Sequence, residues 1–183
     1  MTDLAFTGPG GPFRTTVTVP GDKSLSHRAL MFAAMAAGDS IVSGAGPGND
    51  IASTRAALRS LGVSIVGEKV RSRGTSGWVN PGAPIDCGNS GTTMRHLAGI
   101  LSTSPIAVTL TGDPSLSVRP MTRLIAPLEA LGGVISVSPG GTAPITVGGA
   151  TSVRGASFEI PVASAQVRTA FEYAALSADT PST

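Results

Sequence analysis

Residues 20–30 read P-G-D-K-S-L-S-H-R-A-L, and the build of this stretch returns twice more, at 87–95 (C-G-N-S-G-T-T-M-R) and 163–168 (A-S-A-Q-V-R). Each is a turn of small and polar residues that opens onto a helical pattern, with a basic residue beside it. A helix start presents unpaired N–H groups and the positive end of the macrodipole. Three such starts facing one space would suit a small polyanion.

Around these starts the pattern repeats. Residues 13–20 alternate and are β-branched, which predicts a strand. Leu25 to Ala37 is apolar almost all round and predicts a largely buried helix, with Ser24 as a cap. A short strand is expected at 41–43. A helix follows that is capped by Asn49 or Asp50 and closed by Gly62, then a strand at 63–66. The order returns as a helix at 92–101, a strand at 106–111, a helix at 121–131 and a strand at 134–137. Pro120 opens the helix at 121–131, and Pro127 is expected to kink it. Leu61-Gly62-Val63 and Leu131-Gly132-Gly133 stand as matching exits, about forty residues after the polar starts, the period of stacked supersecondary units. The division expected is two complete units, about 13–75 and 84–150, and the start of a third, about 156–183, with a helix running from Ser164 to about Ala178.

Composition narrows the function classes. Apolar residues make up 41% and charged residues 13%, which supports a packed core and argues against disorder. The net charge is +2, with no Lys/Arg run and no interleaved aromatics; a nucleic-acid platform is therefore not expected. The single cysteine, Cys87, excludes an intramolecular disulfide and a cysteine-rich zinc site. It reads as a small buried thiol. His27 and His96 lack metal-ligand spacing and read as structural. No apolar run of about 18 residues suggests a membrane span, and no secretory pattern opens the chain, so a cytoplasmic location is expected.

The candidate site residues follow from the helix starts. Lys23 offers a point charge and Arg28 a bidentate fork. Gly91 allows an anion to approach the backbone, between Asn89 and Thr92. Arg95 is open to a carboxylate or a ligand. Arg119, after G-D-P-S-L-S-V, stands at a helix mouth; Arg123, one turn on, reads as structural. Ser164 and Gln166 bring a hydroxyl and an amide. Taken singly, each segment is equally an ordinary helix cap with solvated charges.

Together, the stretches at 20–30, 88–95 (G-N-S-G-T-T-M-R), 112–121 (G-D-P-S-L-S-V-R-P-M) and 162–167 (V-A-S-A-Q-V) resemble the 5-enolpyruvylshikimate-3-phosphate synthase family in order and spacing. The S-A-Q form is similar to the bacterial branch with Ala in place of a second Ser. The resemblance implies an α/β fold, an inside-out barrel of repeated βαβαββ units in two domains. It implies transfer of the enolpyruvyl group of phosphoenolpyruvate to the 5-hydroxyl of shikimate 3-phosphate, in aromatic amino-acid biosynthesis, with no cofactor and no metal. By matching position, Lys23 would act catalytically and touch both substrates. Ser24, Arg28, Ser164 and Gln166 would hold shikimate 3-phosphate. Gly91, Arg119 and Gln166 would face phosphoenolpyruvate, with Asn89 and Thr92 in support. Glyphosate would be an inhibitor of the complete enzyme. Family members are more than twice as long, and their acid/base Asp, Lys and Glu have no match here; a C-terminal domain would supply them. Two alternatives stand beside this reading: a non-catalytic anion-binding fragment, and the related UDP-N-acetylglucosamine enolpyruvyltransferases. The latter typically carry Asn after the lysine, where this chain has Ser24.

Overall fold

A computed structural model describes residues 5, 7, 8, 10–12, 14–161 and 163–183. Phe13, in the first expected strand, and Val162, in the fourth matching stretch, lie outside the described residues. Six α-helices are seen among the described residues: α1 (Lys23–Met35), α2 (Asn49–Ser60), α3 (Gly91–Ser102), α4 (Pro114–Ser117), α5 (Ile125–Ala130) and α6 (Ala165–Ala175). The strands are β1 (Ala37–Ile41), β2 (Ser64–Val66), β3 (Lys69–Arg73), β4 (Ile85–Asp86), β5 (Val108–Thr111), β6 (Ile135–Val137) and β7 (Ile145–Val147).

The strands form two sheets of one plan. The first has the order β1-β3-β2 and the second β4-β5-β7-β6. β1, β2 and β3 therefore correspond to β5, β6 and β7, and in both sets the pairs are antiparallel. The helices before the strands repeat the same device. After α2, Leu61 and Val63 both donate to Leu58 and Gly62 donates to Arg59; after α5, Leu131 and Gly133 both donate to Leu128 and Gly132 donates to Glu129. Gly62 at φ 90° and Gly132 at φ 82° take the left-handed conformation that closes a helix this way.

The second sheet has one strand more, because β4 pairs parallel to β5 across the βαβ connection through α3. Its counterpart would be the strand expected at 13–20, and here the structure differs. Residues 14–22 form no strand, and Val17 and Val19 are 73% and 76% exposed. Alternation alone does not hold a strand that has neither a ladder partner nor a covered face. Four further expectations are corrected. Asp22, not Ser24, caps α1, accepting from the Leu25 N–H at 2.8 Å. Gly48 stands at the α2 N-cap, with no side-chain cap; Asp50 is drawn into an ion pair with Lys23 instead. The first short strand starts four residues early, at Ala37 rather than Ile41. The helix expected at 121–131 splits into a 3₁₀ turn, Thr122–Leu124, and α5. Pro127 is the third residue of α5, where its missing N–H would have no partner in that helix, so the break falls before the proline.

The core runs from Leu30 and Met31 through Leu58, Leu61, Leu97 and Leu101 to Leu110 and Leu128, all unexposed. α3 is its axis; every residue from Thr93 to Ser102 is buried. Its tightest neighbour is α6, where a Cβ on Gly99 would stand 2.3 Å from the Ala170 carbonyl oxygen and 2.7 Å from its Cα. No described helix is long and apolar enough to cross a membrane.

Buried ionisable groups sit in this core. Desolvation pushes the Cys87 thiol up to about 12, with Asp86 adding to it. Desolvation lowers both imidazoles to about 4: for His27, Asp50 opposes it and Lys23 adds to it, and for His96 the neighbours His27, Arg28 and Arg95 add to it.

Two outcomes are expected. Gly99→Ala pushes a methyl into backbone that cannot yield locally, and is expected to destabilise the fold by about 1–3 kcal/mol in urea unfolding; an unchanged midpoint would refute the close α3–α6 approach. The histidines set an acid limit. Unfolded imidazoles take up protons near 6.5, whereas the folded ones resist until about 4, so unfolding binds protons in that window. Stability is therefore full above pH 6.5 and falls steadily towards pH 4. Urea midpoints measured at several pH values across this range should decline before the carboxylates titrate.

Candidate functional site

All three helix starts form, and those of α3 and α6 meet. α1 begins at Lys23, α3 at Gly91 behind its cap Ser90, and α6 at Ala165 behind its cap Ser164. Ser90 accepts from the Thr93 N–H at 3.1 Å and Ser164 from the Val167 N–H at 3.4 Å. Each cap satisfies one orphan donor of its first turn, and at α3 the Gly91 N–H is bonded to the Asn89 carbonyl.

The α3 and α6 starts are tied together by Gln166. Its carbonyl accepts from Arg95 Nη1 at 2.7 Å and its amide donates to Thr92 Oγ1 at 3.0 Å. The α1 and α6 elements are tied by Arg28, whose Nη2 donates to Thr169 Oγ1 at 3.1 Å. Arg28 and Thr169 line a cavity of about 590 Å³ with Ser164, Ala165, Arg168 and Glu172. The Arg28 Nε is buried and has no protein partner, so the guanidinium fork is only partly used.

Beside Gly91 stands a second cationic cluster. A Cβ on Gly91 would lie 2.6 Å from Arg95 Nη1 and 3.4 Å from Arg119 Nη1. Glycine is thus what allows two guanidinium groups to close over the first turn of α3. Arg119 is aimed there by Asn89, which accepts from its Nη2 at 2.6 Å. Asn89 is held in turn by Asp113, which accepts from its Nδ2 at 2.7 Å while capping α4 through Leu116. These bonds, with the Leu116 N–H first, hold the Asp113 carboxyl below its ordinary range. Arg95 is buried with no carboxylate; desolvation first, then Arg123 and Arg119, lower its pKa. Among the described residues the ion pairs are Lys23–Asp50, Arg71–Asp39 and Arg168–Glu172. Arg28, Arg95 and Arg119 are in none of them. Crowded cations without counter-charge favour a ligand anion.

The structure thus gathers Asn89, Gly91, Thr92, Arg119 and Gln166 into one contiguous cluster, and Arg28 and Ser164 into the adjoining cavity. Lys23 stands at the start of α1, over half exposed, paired with Asp50 at the start of α2. Ser24 is exposed, and its side chain has no hydrogen-bond partner among the described residues. Two positions carry more than the sequence suggested. Arg95 had been open to a carboxylate, but its partners are Gln166 and, at 3.4 Å, the Pro120 carbonyl. Asp113 had no assigned role in the sequence, and the Asn89 contact that gives it one crosses 24 positions. No spacing rule reaches that far.

The chain was compared with known proteins. Residues 8–183 match the family model described as EPSP synthase (3-phosphoshikimate 1-carboxyvinyltransferase). A 3-phosphoshikimate 1-carboxyvinyltransferase of Alkalilimnicola ehrlichii is 48% identical over 173 residues, covering 92% of this chain and 39% of the relative. Another, from Methylococcus capsulatus, is 43% identical over 183 residues, covering 97% of this chain and 42% of the relative. A solved EPSP synthase of Acinetobacter baumannii superposes with a TM-score of 0.83 at 42% identity, over 88% of this chain and 38% of that one. The chain therefore spans about two fifths of the length of the relatives it matches. With the α/β architecture, the paired helix starts and the family match in agreement over almost its whole length, this chain belongs to the EPSP synthase family.

Proposed function

We propose that this chain supplies one half of the site for enolpyruvyl transfer from phosphoenolpyruvate to the 5-hydroxyl of shikimate 3-phosphate. The observation that carries the reading is the arrangement of Arg95 and Arg119 over Gly91, neither ion-paired with any described carboxylate, beside a cavity that Arg28 enters. Both substrates are small polyanions, so the two basins match them in number and in charge. Shikimate 3-phosphate is assigned to the cavity, held by Arg28, Ser24, Ser164 and the α6 N–H groups. Phosphoenolpyruvate is assigned to the Gly91 cluster, with Arg119 on its carboxylate or phosphate. Gln166, bonded to both Arg95 and Thr92, forms the wall between them. Lys23, at the start of α1, is placed to reach either substrate once it leaves Asp50. Residues 1–183 then act as the N-terminal region, and the matching strand orders of the two sheets support its division into repeat units.

The reaction must protonate the methylene of phosphoenolpyruvate, activate a hydroxyl and later remove a proton. Each positioned acid/base group contributes about 10²–10⁴-fold. Lys23 is the one group of that kind assigned here, and it cannot serve every step. The remaining acid/base work is assigned to the part of the family's sequence that this chain does not span, which would also close over the substrates and exclude water.

Four outcomes are expected. Shikimate 3-phosphate at millimolar concentration should shift NMR signals of residues 23–28 and 164–166, and added salt should weaken the effect. Arg28→Ala should weaken that binding by about 10- to 100-fold, the loss of a charge-assisted bond; unaltered affinity would remove Arg28 from the site. Phosphate release from the two substrates should be absent with this chain alone and appear when the remaining part of a relative is added in trans; robust turnover by the chain alone would sink the half-site reading. In that reconstituted enzyme, Gly91→Ala should weaken inhibition by glyphosate more than it weakens phosphoenolpyruvate, because the inhibitor is the longer molecule and the methyl displaces Arg95. Equal losses for the two ligands would speak against this placement.

A further inference from the structure

Lys23 and His27 are one helical turn apart on α1, and Asp50 and Thr54 are one turn apart on α2. The two helices are joined by two rungs. The outer rung is the Lys23–Asp50 ion pair. The inner rung is a bond of 2.7 Å between His27 Nδ1 and Thr54 Oγ1, and neither residue has any exposure. From Thr54 the contacts run on: 2.7 Å to Thr93 Oγ1, then 2.7 Å to Ser90 Oγ, the cap of α3. All four residues are buried.

Counting protons gives this chain a direction. A hydroxyl has one proton to donate. The Thr93 hydroxyl spends its proton on Ser90 Oγ at 2.7 Å or on the longer contact to the Asp50 carbonyl at 3.4 Å, and Ser90 Oγ also accepts the Thr93 N–H. Thr93 Oγ1 can then only accept from Thr54. With that proton engaged, Thr54 Oγ1 must accept from His27 Nδ1. The opposite tautomer would leave a proton-free contact between Thr54 and Thr93 and a buried Nε2–H with no acceptor. In the arrangement deduced, the unpartnered Nε2 holds only a lone pair, the lesser cost. We propose that His27 is a positioning residue, fixed as its Nδ1–H tautomer at the head of a one-way hydrogen-bond chain through Thr54 and Thr93 that sets Ser90 and Gly91 relative to Lys23.

Burial supports the neutral ring this needs: the His27 pKa is pushed down to about 4, with Asp50 and Lys23 opposing one another. The chain couples the helix that carries Lys23 to the one that starts at Gly91. Its relevance to phosphoenolpyruvate rests on the function proposed above.

The tautomer has a direct signature. Long-range nitrogen–proton NMR of the imidazoles is expected to show His27 with protonated Nδ1 and unprotonated Nε2. An asparagine amide falls near the position of Nδ1 and a glutamine amide near Nε2. His27→Asn should therefore keep the Gly91 and Thr92 amide signals close to their original positions, and His27→Gln should move them. Thr54→Val, which leaves His27 in place, should move the same signals and release the tautomer to a mixture. Phosphoenolpyruvate titrated against each variant should bind His27→Gln and Thr54→Val about fivefold or more weakly than His27→Asn. A His27 protonated at Nε2 overturns the proposal, as does a Thr54→Val spectrum unchanged at Gly91 and Thr92. If phosphoenolpyruvate fails to perturb the unsubstituted chain, the assignment of the Gly91 pocket falls; the tautomer and the amide shifts still decide the positioning chain.

Discussion

Everything about the site depends on how closely α6 lies against α3. At Gly99 the two backbones leave no room for even a methyl group beside Ala170. That contact sets the distance between the two helix starts, about two turns away along α3 and about one and a half along α6. It is why one glutamine, Gln166, reaches both Arg95 and Thr92. A larger residue at 99 would part the helices and with them the two polar basins. The core is the instrument that holds the charges in place, and small residues on α3 are its means.

The second constraint is electrostatic. Arg28, Arg95 and Arg119 hydrogen-bond to hydroxyls, amides or carbonyls, never to a carboxylate. Neutral partners orient a guanidinium without cancelling its charge, so its attraction for an anion is retained. Asn89 shows the device in full. Asp113 could have paired with Arg119 and neutralised it. Instead, the amide of Asn89 stands between them, donating to the carboxylate and accepting from the arginine.

Helix starts and repeat exits were legible in the sequence, because each rests on local chemistry. Leu-Gly after a helix means one backbone conformation wherever it occurs, and both copies took it. What escaped was non-local. Residues 14–20 carry a strand's alternation, but pairing depends on a neighbour that no local pattern reveals. The cap of α1 went to Asp22 because its carboxylate stands three residues before the Leu25 N–H it accepts from, a choice of register rather than of residue type. Asp50 was read as a cap and became the partner of Lys23, since an ion pair with the neighbouring helix outweighed a bond to its own. Arg95 offered no hint that its acceptor would be an amide 71 positions on.

That separation has a consequence for the making of the protein. During synthesis α3 leaves the ribosome long before α6 exists, and its apolar flank has no cover in the interval. At about 5–20 residues per second the wait is about 4–14 s. The nascent chain must pass through a period in which the α6-facing side of its most buried helix is uncovered. Helpers that shield hydrophobic surface would therefore act on the segment between Gly91 and Ala165, and a pause in translation there would be the moment of greatest risk of aggregation.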